Sequence, residues 1–128
     1  AMNDISQRDW QLRAVGGLWD LGKSGAGWAA FSPFLVTADE VADPHNLRLW
    51  SKVNGEMRQD SSTADMVHKD WYILSYVSQF CEVPPMTVFS TGTPEGVGMT
   101  KGYLKVGDEV EWCVDGLGGS GKHQVVEW

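Results

Sequence analysis

Residues 47–60 read LRLWSKVNGEMRQD, and this stretch decides the fold class. Two sets of side chains alternate along residues 47–53, with one set made of Leu47, Leu49, Ser51 and Val53 and the other of Arg48, Trp50 and Lys52. Alternation with a period of two is typical of a half-buried strand. Asn54-Gly55 then forms the dipeptide most typical of a two-residue hairpin turn. We therefore predict a strand, a tight turn and a returning strand over residues 56–60.

Four further strands are predicted from short apolar or alternating runs that end at turn residues. They cover residues 34–37, 87–91, 109–114 and 124–128. A polar turn is expected over residues 43–46, and a glycine-rich turn is expected before the last strand. Strands therefore dominate the predicted fold.

Two short helices and one long loop complete the predicted elements. Ser6 can cap a helix that runs to about Leu12. A second helix is expected from about residue 65 or 69 to residue 80, because apolar side chains there recur on one helical face. Glycines are too frequent between residues 16 and 33 for a stable helix, so a loop is expected around Lys23.

The bulk composition indicates one acidic domain. A length of 128 residues and a hydrophobic content of 42% suit a single packed core, so we predict one α+β domain over residues 1–128. The net charge is -7, with 10 Lys and Arg against 17 Asp and Glu. Nucleic acid is therefore excluded as a partner, since phosphate binding requires clustered cations.

The sequence also carries expectations about the cellular compartment. It has no basic segment followed by an apolar run and no apolar stretch of about eighteen residues, so we expect neither export nor a membrane partner. Cys81 and Cys113 lie far apart without the CxxC spacing of a zinc site, and we predict that both are buried, reduced thiols. These features predict a cytoplasmic protein.

Three short polar segments carry the side chains that are suited to chemistry. Residues 4–11 supply a carboxylate, a guanidinium and an amide, residues 22–24 an ammonium and a hydroxyl, and residues 90–98 glycines and threonines. A site that holds a small oxyanionic substrate near a cation needs such groups. Each group also has an ordinary structural explanation: Asp4 as a helix-start anion, Arg8 in a surface ion pair, Lys23 as an exposed loop residue and residues 91–94 as a turn.

Taken together and in order, these segments resemble the catalytic half of the fumarylacetoacetate hydrolase family. The resembling motifs are NDISQRDWQ at 3–11, LGKS at 21–24, NGEMRQDSST at 54–63, STGTPEGVGM at 90–99 and YLKVGDEV at 103–110. They extend over nearly the whole chain. The resemblance implies the family's strand-dominated α+β fold, a mixed β-sheet roll with about two short helices.

The resemblance also implies a site that uses a divalent cation, Mg²⁺ or Mn²⁺, on a small 2-oxo acid such as an acylpyruvate, a β-diketo acid or oxaloacetate. Such a cation acts as a Lewis acid on the enolate that forms during the reaction. By position in the motifs, Asp4 is expected to be a metal ligand, and Lys23 and Arg8 are expected to be catalytic. The substrate is expected to be bound by Gln11, Gly92 and Thr93.

The sequence departs from the family pattern in three places. The family takes further metal ligands from a Glu-x-Glu segment upstream of its aspartate, and no such segment precedes Asp4. A single carboxylate cannot hold Mg²⁺ firmly, because this cation usually needs several oxygen ligands. Pro85-Met86-Thr87 stands where the family has Pro-Gly-Asp, and residues 25–33 reshape the loop after the lysine. These departures predict an altered substrate range, partial loss of function or a copy truncated at its N-terminus.

Three functions remain as alternatives at this point. The first is a metal-dependent hydrolase, decarboxylase or isomerase of a small 2-oxo acid. The second is a degenerate or truncated domain that binds a carboxylate or a partner chain without turnover. The third is an unrelated activity built on the altered loop at residues 25–32. Strand edges left without the family's N-terminal part also predict a homodimer or a higher homo-oligomer.

Overall fold

The computed structural model describes residues 1–13 and 19–127. In chain order its strands are β1 (Met2–Asp4), β2 (Ala29–Phe31), β3 (Arg48–Val53), β4 (Glu56–Ser62), β5 (Glu109–Val114) and β6 (Ser120–Gln124). Its α-helices are α1 (Arg8–Arg13), α2 (Asp70–Val77) and α3 (Gly98–Lys101). Short 3₁₀ helices cover Trp19–Lys23, Ala38–Glu40 and Thr63–Asp65.

The main sheet has the strand order β4-β3-β5-β6, and each neighbouring pair is antiparallel. Its two central strands are β3 and β5, and β5 matches the strand predicted over residues 109–114. Val110 and Trp112 on this strand are only 4% and 5% exposed. These two are the buried apolar side chains of the described residues, so the core lies on the face of the sheet to which they project.

The predicted hairpin is confirmed. Asn54 and Gly55 have φ values of 52° and 80°, and left-handed backbone at both turn positions is what a tight hairpin turn of this type requires. The Asn54 side chain donates from Nδ2 to Asp108 Oδ1 at 2.9 Å, and its Oδ1 accepts from the Glu109 amide at 2.9 Å. The turn is therefore tied to the start of β5, and the hydrogen bond from Asn54 holds the pKa of the Asp108 carboxyl below its usual range.

A second, two-stranded sheet pairs β1 with β2 and carries the N-terminal polar segment. The prediction of one long loop over residues 16–33 is therefore wrong for the 3₁₀ helix and for β2, while residues 16–18 lie outside the described residues. The pairing that forms β2 is long-range and leaves no local signal in so short a strand. The predicted helix after β1 is confirmed, but its first turn is capped by Gln7, whose Oε1 accepts from the Trp10 amide at 3.1 Å, instead of by Ser6.

Gly22 allows the 3₁₀ helix Trp19–Lys23 to lie against α1. A Cβ atom at this position would stand 2.4 Å from Gln11 Cβ and 2.7 Å from the Gln7 carbonyl oxygen. The Gln7 amide donates to the Gly22 carbonyl at 2.9 Å. The glycine is needed here for close approach, and this contact fixes the position of the lysine that follows it.

Two predicted strands are absent from the structure. In residues 34–37 the Phe34 carbonyl accepts a hydrogen bond from Ser32 Oγ at 3.0 Å, and such local side-chain bonds compete with strand pairing. In residues 87–91 the Thr87 amide and hydroxyl both donate to the Pro84 carbonyl, at 3.2 and 2.7 Å, so the chain forms a turn where the strand was expected to start.

Two other elements are shifted from their predicted bounds. The last strand is β6, Ser120–Gln124, rather than residues 124–128, because Gly121 lets the chain pass across the Trp112 ring and pair earlier. Residue 128 lies outside the described residues. Helix α2 is shorter than predicted, since the region around residue 65 forms a separate 3₁₀ turn in which Ser62 Oγ accepts from the Ala64 amide at 3.1 Å.

The predicted class, a strand-dominated α+β fold, is confirmed, with three α-helices in the described part of the chain. No helix in residues 1–13 and 19–127 is long and apolar enough to cross a membrane. Both cysteines are free, but Cys81 is exposed and Cys113 only half-buried, so the prediction that both are buried is wrong. Cys81 follows the end of α2, and the outer face of that helix is itself exposed.

Candidate active site

Asp4 and Lys23 meet although 19 positions separate them in the chain. Asp4 ends β1, and Lys23 ends the 3₁₀ helix that Gly22 holds against α1. Lys23 Nζ lies 2.6 Å from Asp4 Oδ2, and the two side chains are 27% and 39% exposed. An ion pair this accessible contributes about 0–1 kcal/mol. An anionic oxygen of a ligand can therefore take the place of Asp4 beside the ammonium at little cost.

Arg8 and Gln11 lie on one face of α1, as their spacing predicted. Arg8 Nη1 donates to Gln11 Oε1, and Gln11 is 1% exposed. The buried amide holds the guanidinium in one orientation. Gln11 Nε2 has no hydrogen-bond partner among the described residues. The substrate contact that the sequence predicts for Gln11 stays a prediction.

The loop that contains Gly92 and Thr93 is held by β4. Gln59 Nε2 donates to Thr93 Oγ1 at 2.7 Å and to the Pro94 carbonyl at 3.0 Å. Gly96, with φ of 96°, packs so closely on β4 that a Cβ atom would stand 2.0 Å from the Arg58 carbonyl oxygen. The loop is therefore positioned by a strand of the main sheet, which is more rigid than a free loop.

These groups line one cavity of about 1000 Å³. Its lining includes five of the six predicted site residues, namely Asp4, Arg8, Lys23, Gly92 and Thr93. Gln11 is not part of the lining. The apolar wall is contributed by side chains such as Trp28, Val110 and Trp112. The cavity thus combines cations and hydroxyl donors with an apolar wall, the usual make-up of a small-molecule site.

The carboxylate donors of this cavity do not form a metal site on their own. In residues 1–13 and 19–127 no group of three or more His, Cys, Asp and Glu side chains is placed to hold a metal ion. Asp4 offers one carboxylate, and Oδ2 of that carboxylate is taken by the lysine. Mg²⁺ usually needs several protein or substrate oxygens. Ligands additional to the described side chains would be required, and the divalent cation stays a prediction.

Two features of the cavity were missed at the level of sequence. The first is the contact of Gln59 with Thr93. Gln59 belongs to a quoted motif, but Thr93 lies 34 positions away, so no local pattern pointed to the contact.

The second feature is the pair of His45 and Asp70, whose Nε2 and Oδ1 atoms lie 2.6 Å apart. Burial of Asp70 acts to raise its pKa, but hydrogen bonds from the Trp71 amide and from His45 outweigh it and lower the pKa.

Three proteins similar to this chain match at least 82% of its length. Human oxaloacetate tautomerase FAHD2A, mitochondrial, is 45% identical over 119 residues, which are 91% of this chain and 38% of that protein. The crystal structure of 5-carboxymethyl-2-hydroxymuconate delta-isomerase from Mycobacterium smegmatis is 34% identical with a TM-score of 0.85, over 98% of this chain and 46% of that one. Maleylpyruvate hydrolase from Sphingobium sp. SYK-6 is 30% identical with a TM-score of 0.75, over 82% of this chain and 38% of that one.

The chain spans less than half the length of each of these relatives. The two solved structures share its sheet-rich architecture, as their TM-scores of 0.85 and 0.75 report. The family model described as fumarylacetoacetate (FAA) hydrolase C-terminal matches residues 1–126, which includes every motif quoted above. This chain therefore belongs to the fumarylacetoacetate hydrolase family.

Proposed function

We propose that the cavity around Lys23 binds a small 2-oxo acid and promotes its enolisation. The observation that carries this proposal is that Lys23, Arg8 and Thr93 line the same cavity. The chain as a whole has a net charge of -7. Cations in so acidic a chain must be gathered locally if an anionic ligand is to bind. The names of the relatives, which include a tautomerase, an isomerase and a hydrolase of oxo acids or their dienoic relatives, support the same substrate class.

The proposed step is the formation of an enolate. A base removes a proton from the carbon next to the 2-oxo group, and the electron pair of the broken C–H bond moves onto the oxo oxygen. The Lys23 ammonium compensates the negative charge there, and the Arg8 guanidinium holds the substrate carboxylate. A proton that returns to oxygen gives the enol, and a proton that returns to a more distant carbon of a conjugated acid gives an isomer.

Enolisation suits this cavity better than hydrolysis of a carbon-carbon bond. Isomerisation and decarboxylation need mainly a stabilised enolate, which fixed cations and hydrogen-bond donors supply. Hydrolysis requires in addition a water molecule that is held and activated for attack on a carbonyl carbon, besides the proton acceptor that enolisation already uses. Lys23 and Thr93, which line the cavity, are the groups that we propose for the first requirement.

The proposal is tested by following the ultraviolet absorbance of oxaloacetate as its enol and keto forms interconvert. We expect the rate to rise in proportion to protein concentration and to fall at least about tenfold in Arg8→Gln, because the substrate carboxylate loses its guanidinium. Arg13→Gln is the matched control, since Arg13 lies on the same helix but pairs with Asp9 at the surface. Absence of any protein-dependent rate with oxaloacetate and with acylpyruvates would refute the enzymatic proposal.

We also propose a divalent cation, Mg²⁺ or Mn²⁺, as a cofactor, because the Asp4 carboxylate and the oxygens of the substrate together could act as its ligands. When bound, such a cation supplies Lewis-acid stabilisation of the enolate. Calorimetric titration of Mg²⁺ with and without oxalate, an enolate mimic, measures this directly. We expect oxalate-dependent binding that disappears in Asp4→Asn and persists in Asp9→Asn. Equal binding by both variants would show that Asp4 is not a ligand.

A second function, association without turnover, is proposed from the exposed apolar surface. Helix α2 and the turn after it expose Trp71, Tyr76 and Phe80 by 65%, 54% and 73%. Aromatic surface of this extent commonly marks a contact with another chain. A homodimer or a complex with a full-length relative would cover it. Sedimentation at several protein concentrations distinguishes these cases from a monomer. If the protein is a monomer that binds oxalate but never turns over oxaloacetate, its function would be carboxylate binding without association.

A further inference from the structure

Every polar group of the Gln59 side chain has a hydrogen-bond partner. Gln59 is the cross-strand partner of Ser51 in the β3–β4 pair. Ser51 Oγ donates to Gln59 Oε1 at 2.8 Å. On its other side, Gln59 Nε2 donates to the Pro94 carbonyl at 3.0 Å and to Thr93 Oγ1 at 2.7 Å. Both amide hydrogens and the amide oxygen are thus engaged.

The Pro94 contact decides which end of the amide faces the loop. A backbone carbonyl can only accept a hydrogen bond, so the group that faces it must be the NH₂ of Gln59. The same NH₂ group faces the Thr93 hydroxyl. That hydroxyl must therefore accept from Gln59, because the amide nitrogen offers it no lone pair. The direction of the hydrogen bond follows from chemistry alone.

A hydroxyl that accepts from one side keeps its own hydrogen for another partner. Thr93 lines the cavity together with Ser51, Gln59 and Pro94. Its O–H bond can then be directed only toward an acceptor outside the amide, and a carboxylate or enolate oxygen in the cavity is such an acceptor. A ligand group that is itself a hydrogen-bond donor would face the Thr93 O–H, which is also a donor, and no hydrogen bond would form.

We propose that Gln59 is a positioning residue that fixes Thr93 as a hydrogen-bond donor and so selects an oxygen acceptor at that point of the ligand. The inference rests on the proposed function, because it assigns the substrate-side role of a residue in that same cavity. Gln59 itself has no remaining hydrogen to offer a ligand and acts through Thr93.

Gln59→Glu keeps the size of the side chain, reverses the polarity of its contact with Thr93 and removes its hydrogen bond to the Pro94 carbonyl, because a carboxylate has no hydrogen to donate. The new carboxylate accepts the Thr93 hydrogen, which is then lost to the ligand. We expect the affinity for oxalate, titrated at fixed Mg²⁺ concentration, to fall at least about tenfold, the usual loss for one hydrogen bond to a charged group. Gln79→Glu is the matched control, since it adds the same charge at the end of α2 and outside the cavity lining.

The double variant separates a positioning role from general support of the loop. In the wild type, Thr93→Val should weaken oxalate binding about as much as Gln59→Glu, while Thr93→Ser should restore it because the hydroxyl is kept. In the Gln59→Glu background, Thr93→Val should cost nothing further, since the donor is already lost. Additive losses, or a Thr93→Ser variant as weak as Thr93→Val, would overturn the inference.

The same titrations distinguish this inference from the proposed function. If the wild type binds oxalate and Gln59→Glu binds it equally well, the polarity role is wrong while the proposed site stands. If the wild type does not bind oxalate at all, the proposed function is wrong and the role of Gln59 falls with it. Urea unfolding of each variant at equal pH shows whether a loss of affinity comes from loss of the folded state.

Discussion

Lys23 Nζ and Asp4 Oδ2 lie 2.6 Å apart at a point where a strand of one sheet and a 3₁₀ helix end side by side. The ammonium is thus held at the wall of the cavity by a carboxylate that is itself partly accessible. This pairing keeps the lysine in place before a ligand arrives, and the small worth of an accessible ion pair lets a stronger anion replace the partner. The pair is therefore the natural place to begin testing the proposed chemistry.

Lys23→Ala should lower the enolisation rate of oxaloacetate at least about tenfold, because the charge that forms on the oxo oxygen loses its fixed cation. The ultraviolet assay of the enol measures this. Lys105→Ala is the control, since Lys105 lies outside the cavity lining. A rate equal to that of the wild type would mean that Lys23 has only a structural role.

Gly22→Ala should destabilise the fold by about 2 kcal/mol, in the range of an overpacked site. The added Cβ atom would overlap Gln11 Cβ at 2.4 Å and push the 3₁₀ helix away from α1. Gly27→Ala is the comparison, because that position has φ of 79° but open space around it, and should cost about 1 kcal/mol. Urea unfolding gives both values, and a Gly22→Ala variant no less stable than Gly27→Ala would exclude the close contact.

Met86→Gly should stabilise the fold. Met86 has φ of 70° and is 86% exposed, so an L-residue sits in the left-handed region without packing to compensate it. Left-handed backbone costs an L-residue about 1–2 kcal/mol, which glycine would recover. The larger conformational freedom of glycine in the unfolded chain offsets part of this, so the net increase in the free energy of unfolding should be about 0.5–1 kcal/mol. Met86→Ala keeps the strain and should leave the free energy of unfolding nearly unchanged. Equal effects of the two substitutions would contradict a backbone origin.

His123 should make the fold less stable in mildly acidic solution. Burial lowers the pKa of this imidazole, so the unfolded chain binds a proton more readily than the folded one. Unfolding is therefore favoured as the pH falls through the unfolded pKa of about 6.5. Its Nε2 also lies 3.4 Å from Asn3 Nδ2, a contact that suits the neutral ring. Urea unfolding at pH values from about one unit below to about one unit above this pKa measures the effect. The free energy of unfolding should depend less on pH in His123→Gln than in the wild type. An unchanged dependence would mean that other groups cause it.

Local signals predicted the parts of the fold that depend on neighbouring residues. The hairpin at Asn54-Gly55 was predictable because the turn dipeptide and the alternation around it act within a few residues. The absence of a turn glycine at Met86 was also visible, and the structure shows the left-handed φ that a glycine would relieve. Strand β2 was not predictable in this way, since its three residues become a strand only by pairing with β1.

The candidate site was predictable to the extent that its residues carry distinctive chemistry inside motifs. The motifs point to Asp4 and Lys23 separately, and the structure brings the two side chains together. The contact between Gln59 and Thr93 was not, because an amide within a strand is usually a surface residue and its partner lies far along the chain. Burial of Gln11 behind Arg8 was likewise set by packing against Gly22, a tertiary contact that no local pattern encodes.

A crystal structure of the protein with oxalate and Mg²⁺ tests the central claim most directly. The account predicts oxalate oxygens within hydrogen-bond distance, about 3 Å, of both Lys23 Nζ and Thr93 Oγ1, with Arg8 facing the same ligand. Ordered oxalate bound elsewhere on the protein, with the ion pair of Lys23 and Asp4 closed and the cavity wall around Thr93 unoccupied, would contradict it.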